Sequence, residues 1–287
     1  TADISKKTAS MSGVTATGKT YDGTTSATVS GGSMTGLIAG DAVSLQTVGT
    51  YSDKNVGTNK TVTIAATYTG TDAGNYTFTN QATTTASITA RSLAITAIGQ
   101  NKEYDGTNTA TYSLTSNQIA GDALTLQATS GVFDSKNVSL VNGGTQNVTI
   151  GGITVAGADA TNYTQQNTST TTTAKVLPKA LTATVNASNK TYDGTTSATA
   201  TLTGLQGFVG QESVSVDSSS VSATFNSKDV ASANTVSVNA GLLDGSNGGL
   251  GANYTINGQT GTAHITPKDV TVSAITASNK TYDGNTT

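Results

Sequence analysis

The chain has 287 residues, of which 11% are charged, and a net charge of −3. It carries no basic stripe to release counterions from nucleic acid or to seek anionic lipid, so neither is expected as a partner. With no cysteine and one histidine, His264, disulfides, thiolate nucleophiles and most histidine-based catalysis are excluded, so the chain is read as no enzyme, with no catalytic residue and no cofactor. No run of 18 apolar residues occurs, and the first thirty residues hold no basic segment followed by an apolar one. An export signal or anchor is expected outside these residues, and no membrane insertion is expected.

Lys-x-Tyr-Asp-Gly is written four times, and the tyrosines Tyr21, Tyr104, Tyr192 and Tyr282 stand 83, 88 and 90 residues apart, which is one small domain per copy. The segment Ile4-Ser5-Lys6-Lys7 matches the closing runs Ile88-Thr89-Ala90-Arg91, Val176-Leu177-Pro178-Lys179 and Ile265-Thr266-Pro267-Lys268. Residues 1–6 are therefore read as the tail of a preceding copy. Three whole copies follow, at 7–90, 91–178 and 179–267, and residues 268–287 begin a fourth.

Each copy opens on its motif: Lys19, Tyr21, Asp22 and Gly23; Lys102, Tyr104, Asp105 and Gly106; Lys190, Tyr192, Asp193 and Gly194. A buried aromatic is expected to anchor the strand end, Asp to accept a backbone N–H in an Asx-type turn, and Gly to supply a positive φ. Next come the alternating strands Val43–Gln46, Leu124–Gln127 and Val214–Asp217, with apolar side chains on one face. After the recurrent Lys54-Asn55-Val56, Lys136-Asn137-Val138 and Lys228-Asp229-Val230, further strands are predicted at 62–64, 148–150 and 236–238. The second set of anchors is Asn75-Tyr76, Asn162-Tyr163 and Asn253-Tyr254, each followed by Thr, and the closing runs complete the copy.

Helix-filling residues are sparse and never recur with a 3.6 period, so the fold is expected to be all-β, with six or seven strands per copy. At that strand count the expected architecture is a tandem array of small immunoglobulin-like β-sandwich domains. Asp72-Ala73-Gly74-Asn75-Tyr76 resembles the Asp-x-Gly-x-Tyr corner of immunoglobulin-like domains, where the tyrosine hydroxyl bonds to backbone. The alternative is a β-grasp-like unit with a short helical turn near Gly36 to Gly40. Pro178 and Pro267 are expected to stiffen their copy boundaries, and the first, Ala90-Arg91, to bend more.

These residues resemble the YDG repeats of large bacterial exported adhesins, filamentous haemagglutinin-like proteins of the two-partner secretion type. The four Lys-x-Tyr-Asp-Gly runs carry the match, and the ordered signposts extend it over the whole chain. The resemblance implies a stalk or spacer on the bacterial cell surface or in a secreted, extracellular protein, supporting attachment, aggregation or biofilm. Neighbouring repeats are the expected partners, with other copies of the protein or matrix glycans beside them. Two alternatives are a carbohydrate-binding module and a subunit of a self-assembling extracellular fibre.

Calcium is the one metal ion the composition leaves open. Asp41 and Asp122 give way to Gln211-Glu212, and Asp72 and Asp159 to Leu250, so a shared site would be broken in the third copy and no metal is assigned. An amide cross-link between Lys19, Lys102 or Lys190 and Asn75, Asn162 or Asn253 would need the pair clustered with an acid in an apolar pocket. Tryptophan is absent, which weighs against a lectin platform.

Overall fold

The computed structural model describes residues 2–287. The protein is all-β: its regular elements are strands and short 3₁₀ turns, with no α-helix among the described residues. No helix among them is long and apolar enough to cross a membrane. Contacts divide the chain into two compact units. The first holds the residues up to Gln100 with Thr109–Asp134 and Gln146–Ala174; the second holds Asn101–Asn108, Ser135–Thr145 and Lys175–Thr287. The division runs through the second copy.

In the first unit, the first copy is a two-sheet sandwich. One sheet orders Val29–Thr35, Lys7–Ala16 and Tyr76–Thr79, with Lys7–Ala16 antiparallel to the former and parallel to the latter. The other orders Lys19–Thr20, Thr83–Thr89, Gly57–Thr69, Ser44–Tyr51 and Ser26–Ala27. Period-2 alternation decides which side chains face inward. Met11 and Val14 from the first sheet pack on Ile64 from the second, with Val29, Leu45, Ala66 and Tyr68 around them. Residues Gly36–Gly40 form a turn without a helix, so the β-grasp alternative lacks its helical element.

The part of the second copy in this unit pairs Ile95–Gly99 with Tyr112–Ser116, Thr125–Gln127 with Thr154–Ala156, and Ser130–Phe133 with Thr145–Gly151, all antiparallel. Arg91–Leu93 runs parallel to Tyr163–Gln165. The same short parallel ladder opens the first copy, Lys7 on Tyr76, and the third, Lys179 on Tyr254.

In the second unit, Lys102–Glu103 pairs parallel with Val176 and Leu177. The third copy builds a four-stranded sheet ordered Lys179–Ala180, Tyr254–Thr262, Thr235–Ala240 and Ser222–Phe225. A separate pair joins Thr182–Ala187 to Ala200–Gln206. Its buried core draws on Leu202, Phe225, Val236, Val238, Ile256 and Ile265. Residues 267–287 form no strand, and Val270, Val272, Ile275 and Tyr282 are exposed.

The parallel pairing of Lys19–Thr20 with Ile88 and Thr89 repeats at Lys102–Glu103 and at Lys190–Thr191. In each copy the ladder ends with the tyrosine N–H donating to the next carbonyl: Tyr21 to Thr89 at 2.9 Å, Tyr104 to Leu177 at 2.8 Å and Tyr192 to Thr266 at 2.8 Å. The closing strand thereby holds each Tyr-Asp-Gly turn at one edge of its copy.

Candidate functional site

The turn itself is a local device. Asp22 Oδ1 accepts the Thr24 N–H at 2.9 Å and the Lys19 ammonium at 2.7 Å, and Lys19 also donates to the Thr24 carbonyl at 2.8 Å. Lys102, Asp105 and Thr107 repeat the arrangement, as do Lys190, Asp193 and Thr195. The Lys190 ammonium and the Thr195 donors hold the Asp193 carboxyl down at about 2. Gly23, Gly106 and Gly194 sit at φ of 77°, 80° and 82°, in the left-handed region that an L side chain enters at a cost of about 1–2 kcal/mol.

The ring that the turn presents does not enter the core of its own copy. Tyr21, fully buried, places its hydroxyl 2.9 Å from both oxygens of Asp122 in the second copy. Tyr163 donates to the same carboxylate at 2.6 Å, and its oxygen accepts the Ile119 N–H at 2.8 Å. The two rings meet edge to face with centroids 5.5 Å apart, a favoured aromatic geometry. Lys54 reaches across from the first copy and lies 2.9 Å from both Asp122 and Asp159. Beside it the Val56 N–H donates to Asn162 Oδ1 at 2.9 Å, while Asn162 Nδ2 donates to Asn55 at 3.1 Å. Asn162 is 1% exposed, and its amide spans the boundary as a two-way hydrogen bond.

The second unit contains the same joint between the second and third copies. Tyr104 donates to Glu212 Oε1 and Tyr254 to Oε2, each at 2.7 Å, with the rings again edge to face at 5.5 Å. Val138 N–H donates to Asn253 Oδ1 and Asn253 Nδ2 to Asn137, both at 2.9 Å. Glutamate replaces aspartate without loss of either tyrosine, but Leu250 leaves no counterpart of Asp159, and Lys136 stands 3.6 Å from Glu212. The second joint therefore has one carboxylate where the first has two.

Burial alone would raise the Asp122 carboxyl, but hydrogen bonds from Tyr163, Lys54 and Tyr21 outweigh it and hold the group below its usual range. Glu212 is lowered in the same way, by Tyr254, Tyr104 and Lys136 against burial. Tyr163 and Tyr254 are pushed up to about 12, first by burial. Two carboxylates held anionic by buried phenols strengthen as charge-assisted bonds.

A pH dependence follows from these directions. A carboxyl whose folded pKa is depressed contributes stability above its unfolded pKa, about 3.9 for Asp and 4.3 for Glu, and loses it as pH falls through the folded value. Protection of the Val56 and Val138 amides against hydrogen exchange is expected to persist to about pH 5 and to decline only below about pH 4. Loss of that protection on going from neutral pH to about pH 5 would contradict the assignment.

The structure thus brings together Tyr21 with Asn162 and Tyr163, and Tyr104 with Asn253 and Tyr254, and leaves Asp22, Asp105 and Asp193 in their turns. It does not bring Lys19 to an asparagine: Lys19, Lys102 and Lys190 are engaged by their own aspartates, and Asn162 and Asn253 bond across the joints. The tyrosine-corner reading needs adjustment as well. The Tyr76 hydroxyl meets a backbone N–H, that of Ile38 at 2.9 Å, but in a loop 38 residues upstream and alongside Asp41. Among the described residues no group of three or more acidic or histidine side chains could hold a metal ion; between Asp122 and Asp159 stands the Lys54 ammonium.

Sequence reasoning weighed Asp122 and Glu212 only as positions of a calcium site and gave Lys54, Asn55, Lys136 and Asn137 no role beyond their recurrence. The available signal was that Gly-Asp and Lys-Asn-Val recur in the same order as the two tyrosines. The turn glycines supply a direct comparison: a Cβ at Gly106 would lie 2.8 Å from Val209 Cγ1 of the third copy, whereas at Gly194 it would meet nothing within 4 Å. Both alanine variants carry the backbone cost, and Gly106→Ala is expected to cost about 1–3 kcal/mol more in a denaturant titration, because stiff Val209 cannot yield. Equal costs would mean that the turn is not packed against the next copy.

No curated protein matches the chain. Among solved structures, Drosophila N-cadherin EC1–3 matches with 9% identity and a TM-score of 0.19, covering 61% of this chain and 69% of that one. The YDG domain matches three times, at residues 5–86, 89–173 and 177–263. These matches span most of the sequence and each contains one Tyr-Asp-Gly turn and one Asn-Tyr anchor, so the chain belongs to the YDG domain family.

Proposed function

We propose that this chain is a non-enzymatic spacer segment of a bacterial cell-surface or secreted adhesin, whose repeats supply reach and stiffness for attachment, aggregation or biofilm. The observation that carries the reading is where the recurrent polar residues go. Tyr21, Lys54, Asp122 and Asn162 at the first joint, and Tyr104, Glu212 and Asn253 at the second, are taken up in bonds from one copy to the next instead of lining an open ligand site, while the motif lysines and aspartates close their own turns. Interfaces that repeat between neighbours make stability a sum of unit and nearest-neighbour contributions, and stiffness grows with the second. The low charge, the absence of cysteine and the resemblance to exported YDG repeats support an extracellular place.

Small-angle scattering tests this on the full chain. A variant carrying Asp122→Ala and Glu212→Ala is expected to be more flexible than the wild type, seen as a raised and shifted maximum in the dimensionless Kratky plot. Unchanged scattering in that variant, or saturable binding of the chain on a glycan array, would overturn the spacer reading.

A further inference from the structure

The joints leave one recurrent side chain without a role, a primary amide that follows each Asn-Tyr anchor: Gln81, Asn167 and Gln259. In each copy it grips the backbone of the opening strand. Gln81 Oε1 accepts the Val14 N–H at 2.9 Å, and its Nε2 donates to the Val14 carbonyl at 2.8 Å. Asn167 does the same to Ile95, at 3.0 and 2.9 Å. Gln259 accepts the Ala183 N–H at 3.0 Å and donates to the Leu181 carbonyl at 3.4 Å. A side-chain amide carries the donor and acceptor of a peptide group, so it serves as one more rung beside the strand.

The ladder it extends is parallel. Residues 7–10 pair with Tyr76–Thr79, Arg91–Leu93 with Tyr163–Gln165, and Lys179–Ala180 with residues 254 and 255. The Gln81 and Gln166 N–H groups carry the first two ladders on, to the Met11 and Leu93 carbonyls at 3.1 and 3.0 Å, and the Leu181 N–H carries the third, to Thr255 at 2.8 Å. A second parallel ladder closes each copy at its Tyr-Asp-Gly strand. Only Ala90 stands between the closing strand that ends at Thr89 and the opening strand that begins at Arg91, and only Pro178 between Leu177 and Lys179. Tension leaving one closing strand therefore reaches the next opening strand with almost no slack.

Direction decides how such a ladder breaks. The chain enters each copy through the opening strand and leaves through the closing one, so tension draws the two members of a parallel pair in opposite directions along the ladder and loads its rungs together. An antiparallel pair pulled apart at its open end gives way one rung at a time. We infer that bearing tension is a further function of each copy: its opening and closing ladders, with the amide of Gln81, Asn167 or Gln259, form a clamp loaded in shear. Strength of this kind is distinct from thermodynamic stability, because it resides in the rungs that must break together on the way to unfolding, and parallel pairs are slightly the less stable kind per residue. The spacer reading rests on bonds between copies and the clamp on bonds within one, so either can fail alone.

Single-molecule pulling of the full chain tests the clamp, and the absence of cysteine lets one introduced cysteine fix a second point of attachment. Held by its two ends, the chain is loaded in shear. Held at its amino terminus and at Thr35→Cys, an exposed site, the first copy is peeled instead, from the Ser10 and Thr35 end of an antiparallel pair. At one pulling speed, end-to-end unfolding is expected at clearly higher force than peeling. Gln81→Ala, pulled end to end, should make its copy unfold about tenfold faster at equal load, through the loss of two bonds to backbone. Ile64→Val, a core change away from the ladders, should lower the urea midpoint without that acceleration. End-to-end unfolding no stronger than peeling, or equal acceleration by Gln81→Ala and Ile64→Val, would overturn the clamp. Circular dichroism verifies that the variants are folded, and the comparison of pulling directions leaves the core untouched, so it decides the matter even where Gln81→Ala does not fold.

Discussion

Replacing Asp122 by alanine is expected to destabilise the first unit by about 2–5 kcal/mol. The carboxylate side chain is 3% exposed and is the common acceptor for Tyr21, Tyr163 and Lys54. Removing it leaves two buried hydroxyls without that partner, at about 1–3 kcal/mol each. Lys54 is 36% exposed and can turn to water, so Lys54→Ala should cost only about 0–1 kcal/mol. Asp122→Asn, which keeps one acceptor oxygen and loses the charge, should fall between them. Urea titrations of the three variants establish the order. An Asp122→Ala variant within about 0.5 kcal/mol of wild type would show that the joint does not contribute to folding stability.

The second large effect is expected at Tyr104. Tyr104→Ala removes a fully buried ring that packs edge to face on Tyr254 and should cost about 3–5 kcal/mol in the second unit. Tyr104→Phe keeps the ring and loses the bond to Glu212, for about 1–3 kcal/mol. Tyr282 carries the same motif but is 93% exposed, so Tyr282→Ala should change stability by less than about 0.5 kcal/mol. Comparable costs at Tyr104 and Tyr282 would mean that the motif acts only within its own turn. Burial lifts the Tyr104 phenol well above its ordinary value, and the rise for Tyr254 and Tyr163 is to about 12. A phenol with a raised folded pKa contributes stability that is whole below about pH 10 and lost as pH rises through the folded value. In an alkaline titration followed by tyrosinate absorbance, the Tyr104→Phe variant should therefore lack one late-ionising phenol.

Local features were legible in the residues. Asp22 and Thr24 are two apart, and Gly23 lies between them, so turn chemistry alone predicts their bond and the positive φ. The strands at Ser44–Tyr51 and Gly57–Thr69 follow from alternation, although the ladder extends past the three or four residues that alternate most clearly. Continuation there comes from pairing with a neighbour, which the strand's own pattern does not encode.

The joint was not legible, and the cause is the repeat itself. Every copy carries the same tyrosines and nearly the same acids, so a recurrent Tyr and a recurrent Asp are equally consistent with contact inside a copy or across to the next. Tyr21 could have met Asp41, 20 residues on; it meets Asp122, 101 residues away. The choice is made by the short parallel ladder of Lys19–Thr20 on Ile88 and Thr89, which aims the turn out of its own sandwich.

Taken alone, the order of residues determined that this is an all-strand protein built from three copies of one module, with an aspartate-capped glycine turn opening each, because alternation, turn formation and recurrence act over a few residues or over identical ones. Tertiary structure alone decided that the invariant tyrosines join one module to the next, because a buried phenol goes to whichever carboxylate the folded backbone sets within about 3 Å, and that distance is a property of how two sandwiches meet.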